Sequence, residues 1–292
     1  MGTFDAAIDE LLARRAGRPP SPAIDVPTVD AWCAAFGSDW PERRVDVLPG
    51  IAFTTFVRPV APPASGAAAP TGVVLHDEVK RVLDLPVAIA VGYELELQGP
   101  ARVGDVLRSE ERVATIGAER ETRFGPGREW VIEVATSSAA GPVGIERFRM
   151  LGYRPGASSS SSTPATGRGD EEVAVSWTDR LSLGRDDIIR LATANRVWAA
   201  AHHRRDEAIA FGLPDIILDT SSHVALWAGA AQRRRPDRPI ASVELEMRRP
   251  ILPDVAVDVV GIDHVDEVEI DVEVVASVDG RVASRASVHF AS

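Results

Sequence analysis

The stretches "ELELQGPARVGD", Glu94 to Asp105, and "ELEMRRPILPD", Glu244 to Asp254, run in parallel, and each opens the same train of segments. In the first half, Glu94 to Ile116 leads through a glycine-rich turn, "FGPGREW", to Trp130–Leu151. In the second, Ser242 to Val265 leads to Val268–Phe290. Each train reads as strand, proline-containing turn, strand, turn, long strand, turn, strand. A chain that repeats a supersecondary unit has to bury two copies of one amphipathic surface. The alternation in "VEIDVEVVASV" is that of a half-buried antiparallel strand, and "VDG" and "AAG" supply hairpin turns. Both halves are therefore expected to end in the same antiparallel sheet.

Between the copies lies "RPGASSSSSTPATGRGDEE", Arg154 to Glu172, where serine, glycine and proline displace every large apolar residue. It divides the chain into halves of roughly 150 and 120 residues, each of domain size. The domains read as 22–155 and 173–292, with a Ser/Pro/Gly linker at 156–172. A second Pro/Ala/Gly stretch, Arg58 to Gly72, reads as an irregular surface loop. Ahead of the second sheet, Asp186–Ala194 has acidic residues in its first turn and Ser221–Arg235 has arginines in its last, both favourable to the helix dipole. Ser221–Arg235 is apolar along nearly one whole side. A long apolar helix followed by four antiparallel strands predicts an α+β arrangement, a helix wrapped by a curved sheet.

Composition removes several function classes. The 292 residues are 45% hydrophobic and 26% charged, which describes a soluble globular chain. A net charge of -11 opposes nucleic-acid binding, which depends on cations displacing phosphate counterions. No apolar run reaches the ~20 residues of a bilayer span, and the first residues lack the pattern of a signal peptide, so a cytoplasmic location without membrane attachment is expected. Cys33 is the lone cysteine, expected to be a small buried apolar residue, and it excludes an internal disulfide or cysteine-built metal cage. No histidine spacing suggests a metal site: His202 and His203 are adjacent and lack a third ligand, His76, His264 and His289 stand alone, and His223 reads as a core histidine. Arg233, Arg234 and Arg235 read as cations placed at a helix C-terminus.

With these segments in order, the chain resembles a double hotdog protein of the MaoC-like dehydratase group, related to (R)-specific enoyl-CoA hydratases. The resemblance covers almost the whole chain. "TVDAWCAAFG" from Thr28, "APP" at Ala61–Pro63, "GPARVGD" and "RFRML" resemble the noncatalytic N-terminal hotdog. "LGRDDIIRLATAN", His202, Gly212 and "RRPILPD" resemble the catalytic MaoC-like one. It implies two hotdog domains, each a central helix wrapped by a curved antiparallel sheet, side by side as an internal pseudo-dimer. It implies no cofactor, with a CoA or carrier-protein thioester as the substrate moiety. As partners it implies an acyl-CoA or acyl-carrier thioester, and a homodimer or a hetero-oligomer with another hotdog protein.

The family's signature, Asp-x-Asn-Pro-x-His-x-Asp, holds one water between a proton-transferring histidine and an orienting carboxylate. Aligned on His202, this chain has Val197 at the Asp, Ala199 at the Asn, Ala200 at the Pro and Arg204 at the second Asp. Using His203 instead puts Trp198 in the Asp position. Asp219 and Asp206 are the substitute carboxylates, Asp219 first, with helix capping and a solvated helix face as their ordinary roles. The family's thioester carbonyl lies at the central helix start, which aligns here with Asp219 and Thr220, where a negative side chain opposes a developing enolate. The substrate-binding set is expected to be Trp198, His203, Thr220 and Ser221.

Two function classes follow. One is an acyl-CoA hydratase or dehydratase acting on enoyl or 3-hydroxyacyl thioesters with His202 and Asp219. The other is a catalytically silent thioester-binding or structural subunit of a hydratase complex. A thioesterase is a third, weaker reading.

Overall fold

The computed structural model describes residues 3–37, 46–61, 73–122, 124–154, 175–265 and 270–291. The first half contributes α1 (Thr3–Ala13), β1 (Arg15–Gly17), α2 (Val26–Phe36), α3 (Phe53–Phe56) and α4 (Val74–Val82), then β2 (Val87–Leu97), β3 (Arg108–Ile116), β4 (Arg120–Thr122), β5 (Gly125–Ser138) and β6 (Gly141–Tyr153). The second half contributes β7 (Trp177–Ser182), α5 (Arg185–Ala194), α6 (Arg205–Ala210) and α7 (Thr220–Arg234), then β8 (Ile240–Met247), β9 (Ala256–Val265), β10 (Ile270–Val278) and β11 (Arg281–Phe290). The linker at 156–172 lies outside the described residues, as do 62–72 of the Pro/Ala/Gly stretch.

The strands form one antiparallel eleven-stranded sheet in the order β1-β3-β5-β6-β2-β8-β11-β10-β9-β7, with β4 set on β5. Read inward from either edge, the two halves are the same: β1-β3-β5-β6-β2 and β7-β9-β10-β11-β8. They meet at β2 and β8, where Glu94 pairs with Glu244, Leu95 with Val243 and Tyr93 with Leu245. The β10–β11 hairpin turns on Asp279 and Gly280 with φ of 51° and 68°, the two positive values that match a two-residue turn to strand twist.

Two expectations need correction. "FGPGREW" is a turn only at its start: Phe124 lies in the reversal after Thr122, Gly125 closes it with a φ of 114°, and Pro126 and Gly127 continue β5. A Cβ on Gly127 would lie 2.4 Å from the Gly152 carbonyl oxygen, so the glycine serves close strand approach rather than a bend. Arg58, expected at the start of a surface loop, is buried, held by hydrogen bonds and an ion pair given below.

Two cores lie under the sheet. A small one joins Leu75 and Val79 of α4 and Leu11 of α1 to Trp130, Ile132 and Val134 of β5. The larger one crosses the seam: Trp32, Phe36, Phe53, Phe56 and Tyr93 pack with Leu191, Val224, Trp227 and Leu245. Each such Val or Leu removed from water contributes roughly 1.5–3 kcal/mol to holding the halves together. The fifteen-residue α7 is buried on nearly every side from Ser221 to Gln232, between β8, β10 and β11 and the helices α2 and α5. Its first-half counterpart, α4, has nine residues. Cys33 is buried on α2. Arg233 and Arg234 lie in the last turn of α7, Arg234 over the Trp177 ring at 5.0 Å, and Arg235 pairs with Asp263 at 2.7 Å. Among the described residues no helix is long and apolar enough to cross a membrane.

Candidate active site

Helix α5 ends at Ala194, and Asn195 and Arg196 turn the chain into the site segment. Arg196 adopts a left-handed φ of 52°, and the Val197 amide bonds back to the Ala192 carbonyl at 2.9 Å. A short turn at Ala200–His202 follows. The chain returns alongside it, because the Ile217 amide donates to the Ala201 carbonyl at 3.0 Å. The same residue's carbonyl receives Nδ1–H of His202 at 2.8 Å, so the backbone pairing and the ring hold each other in place.

That contact defines the chemistry of His202. A carbonyl accepts only, so Nδ1 carries the proton and Nε2 of the neutral ring keeps its lone pair. Burial lowers the His202 pKa below the usual value of 6.5; the charge of Asp219 and the Ile217 carbonyl oppose this, while His203 reinforces it. His202 is thus a neutral base at ordinary pH. Its neighbour is differently employed. Nε2–H of His203 donates to the Val197 carbonyl at 2.6 Å, and its ring stacks on Trp198 with centroids 5.8 Å apart. The Trp198 indole donates to the Pro59 carbonyl of the first half at 2.8 Å.

Asp219 is 1% exposed and caps α7, accepting from the Ser222 amide at 3.0 Å through Oδ1 and from the Ser222 hydroxyl through Oδ2. It is close enough for its charge to act on both His202 and His223. Burial pushes His223 down to about 4, and its Nδ1 lies 3.2 Å from the Ser284 hydroxyl, which also accepts from Trp227 at 3.0 Å. Thr220 and Ser221 supply the first two amides of α7, which a helix leaves without internal acceptors. Of the two substitute carboxylates, the fold therefore brings Asp219 to His202. Asp206 is exposed in the first turn of α6. Val197 and Ala199 lie in the loop before the Ala200–His202 turn and carry no polar side chain.

A buried polar cluster behind Asp219 was not foreseen. Asn195 donates from Nδ2 to Ser222 Oγ at 3.1 Å, and its Oδ1 receives the Trp32 indole at 2.9 Å and the Thr55 hydroxyl at 3.4 Å. Its carbonyl receives Arg58 Nη1 at 3.0 Å; Nη2 of the same guanidinium pairs with Glu146 at 3.3 Å, and Glu146 accepts from the Tyr93 hydroxyl at 2.8 Å. Burial, with the Glu146 charge beside it, raises the Tyr93 pKa well above 10.0, so the phenol stays protonated. Trp32, Thr55, Arg58, Tyr93 and Glu146 all belong to the first half. The only sequence signal was the stretch "TVDAWCAAFG" containing Trp32. Among the described residues no three His, Cys, Asp or Glu side chains gather as metal ligands would.

No family model and no curated protein matches the sequence. Solved structures match over nearly full length. A conserved hypothetical protein from Mycobacterium tuberculosis, described as having a double hotdog fold, aligns with a TM-score of 0.59 at 14% identity, over 99% of this chain and 97% of its own. This chain is a double hotdog. MaoC-like dehydratase from Phytophthora capsici shares the architecture with a TM-score of 0.68 at 12% identity, over 97% and 98% of the two chains. HtdX from Mycobacterium tuberculosis does so with 0.62 at 17%, over 94% and 98%. At such identities the double hotdog is what is shared, and chemistry has to be argued from the side chains above.

Proposed function

We propose that this double hotdog acts on enoyl or 3-hydroxyacyl thioesters of CoA or a carrier protein as a hydratase or dehydratase. The observation that carries the reading is the His202 ring, locked as the Nδ1–H tautomer by Ile217 with the Asp219 carboxylate beside it. In the hydration direction, a water held between Nε2 and the carboxylate loses a proton to Nε2 as its oxygen bonds to the substrate β-carbon. The imidazolium then returns that proton to the α-carbon. The reverse sequence expels water. The amides of Thr220 and Ser221 are the donors available to a thioester carbonyl. Dehydratase naming among the structural relatives supports the substrate class.

A second reading, a silent thioester-binding or structural subunit, is favoured by one specific fact: Asp219 already caps α7 and binds Ser222 through both oxygens. The test is hydration of short and medium enoyl-CoAs by the purified protein, with calorimetry on the same ligands. Activity that falls ~10²- to 10⁴-fold in both His202→Ala and Asp219→Asn supports the hydratase. Binding without turnover supports the silent protein. Neither binding nor turnover leaves a structural role.

A further inference from the structure

We infer that the first half orients the Asp219 carboxylate through a one-way chain of hydrogen bonds, with Trp32 and Asn195 as positioning residues. As an account of the acid–base carboxylate, this rests on the function proposed above; as an account of Asp219 itself, it stands on the hydrogen bonds alone.

The direction of the chain is fixed by its first member. An indole N–H donates and never accepts, so the side-chain atom of Asn195 facing Trp32 at 2.9 Å must be the oxygen. The Thr55 hydroxyl adds a second donor to that oxygen. The amide nitrogen is thereby aimed at Ser222, where it donates to Oγ. With its oxygen approached by a donor, the Ser222 hydroxyl turns its own proton to Oδ2 of Asp219. A flipped Asn195 would reverse each step: its oxygen would face Ser222, draw that hydroxyl proton, and take it from Asp219. Arg58, held by Glu146, grips the Asn195 backbone carbonyl and fixes the backbone from which that amide projects. Every member is buried, so water is poorly placed to replace a missing donor. A packing role alone would have no use for this order of donors.

The test reads the carboxyl carbon of Asp219 by its ¹³C NMR chemical shift in the full chain at one fixed pH near neutrality. His202 and His223 titrate beside it and are followed in parallel; Arg58 and Glu146 are the charged groups further along the chain. Ser222→Ala removes the hydroxyl donor, so the Asp219 carboxyl resonance should shift as Oδ2 loses that hydrogen bond. Trp32→Phe removes the indole donor, in the other half of the chain, together with part of the ring that packs on Phe36, and should move the resonance in the same direction. In the Ser222→Ala background, Trp32→Phe should add nothing, because its effect passes through that hydroxyl. An unmoved resonance in Trp32→Phe, or shifts that add in the double variant, overturns the inference. If Trp32→Phe does not fold, Thr55→Val removes the second donor to the same oxygen, with a smaller shift expected and the same cancellation required. Absence of enoyl-CoA hydration would remove the proposed function and leave this result standing, since the chemical shift needs no turnover.

Discussion

Removing the Glu146 carboxylate is the sharpest test of how the halves are joined. The Arg58–Glu146 pair is buried at both ends, with side chains 7% and 1% exposed and 3.3 Å between Nη2 and Oε1. In Glu146→Ala the guanidinium loses its counter-charge in a site that water reaches poorly, a change that costs about 3–5 kcal/mol. The Tyr93 hydroxyl loses its acceptor as well, a penalty of roughly 1–3 kcal/mol that overlaps the first because both fall on one oxygen. The internal control is Arg102–Asp46, shorter at 2.6 Å but 50% and 68% exposed, for which Asp46→Ala should cost about 0–1 kcal/mol. Urea unfolding measures both. At about 2–4 °C per kcal/mol, Glu146→Ala should lower Tm by roughly 6–20 °C and Asp46→Ala hardly at all. Adding Arg58→Leu to Glu146→Ala should recover part of the loss, because no charge is then left unpaired. Equal small losses in the two single variants would refute the reasoning.

Burial pushes His76 and His223 to about 4 from 6.5, so between those values the unfolded chain binds more protons than the folded one. Stability should be complete above about pH 6.5 and fall toward pH 4 by up to roughly 3 kcal/mol per ring; urea midpoints that stay level across this window would contradict two buried neutral imidazoles. Gly152→Ala should cost roughly 1–3 kcal/mol in the same assay, because a Cβ there would lie 2.3 Å from the fully buried Trp130 ring; Gly17→Ala, which meets nothing, is the comparison. Writing the water-holding residues back with Val197→Asp and Ala199→Asn should raise enoyl-CoA hydration ~10²- to 10⁴-fold if a placed carboxylate is what limits the rate, and steady-state kinetics showing no gain would remove that explanation.

The alternation of apolar and polar residues made the strands of both halves readable in advance, because a face-alternating strand needs only local sequence to declare itself. The β2–β8 seam was not readable at that level: which edge strand meets which depends on contacts 150 residues apart, from Glu94 to Glu244. Glycine misled at Gly127, since the residue that permits a turn is also the one that permits close strand approach. Arg58 misled for a similar reason, as a lone arginine carries no mark of its buried partner. The adjacent histidines were visible, but their division of labour rests on which carbonyl each ring meets. Trp32 and Asn195 each lie in a stretch that carries the resemblance, but their hydrogen bonds to each other and to Thr55 left no pattern, because a polar chain assembled from distant segments has no period. Asp219 was legible as a cap, and the fold gives it that position, with its charge also reaching His202.

The seam between β2 and β8 has a consequence for how such a molecule can vary. Two separate identical hotdogs meeting at this strand pair would carry every seam residue twice, and a change made for one site would be imposed on the other. Within one chain the copies are free of each other. The register that sets Glu94 against Arg147 and Glu244 against Ser287 makes Tyr93 the counterpart of Val243 and Glu146 the counterpart of Ala286. One copy keeps an apolar interior there while the other holds a phenol and a carboxylate, an inequality that no exact two-fold assembly can express.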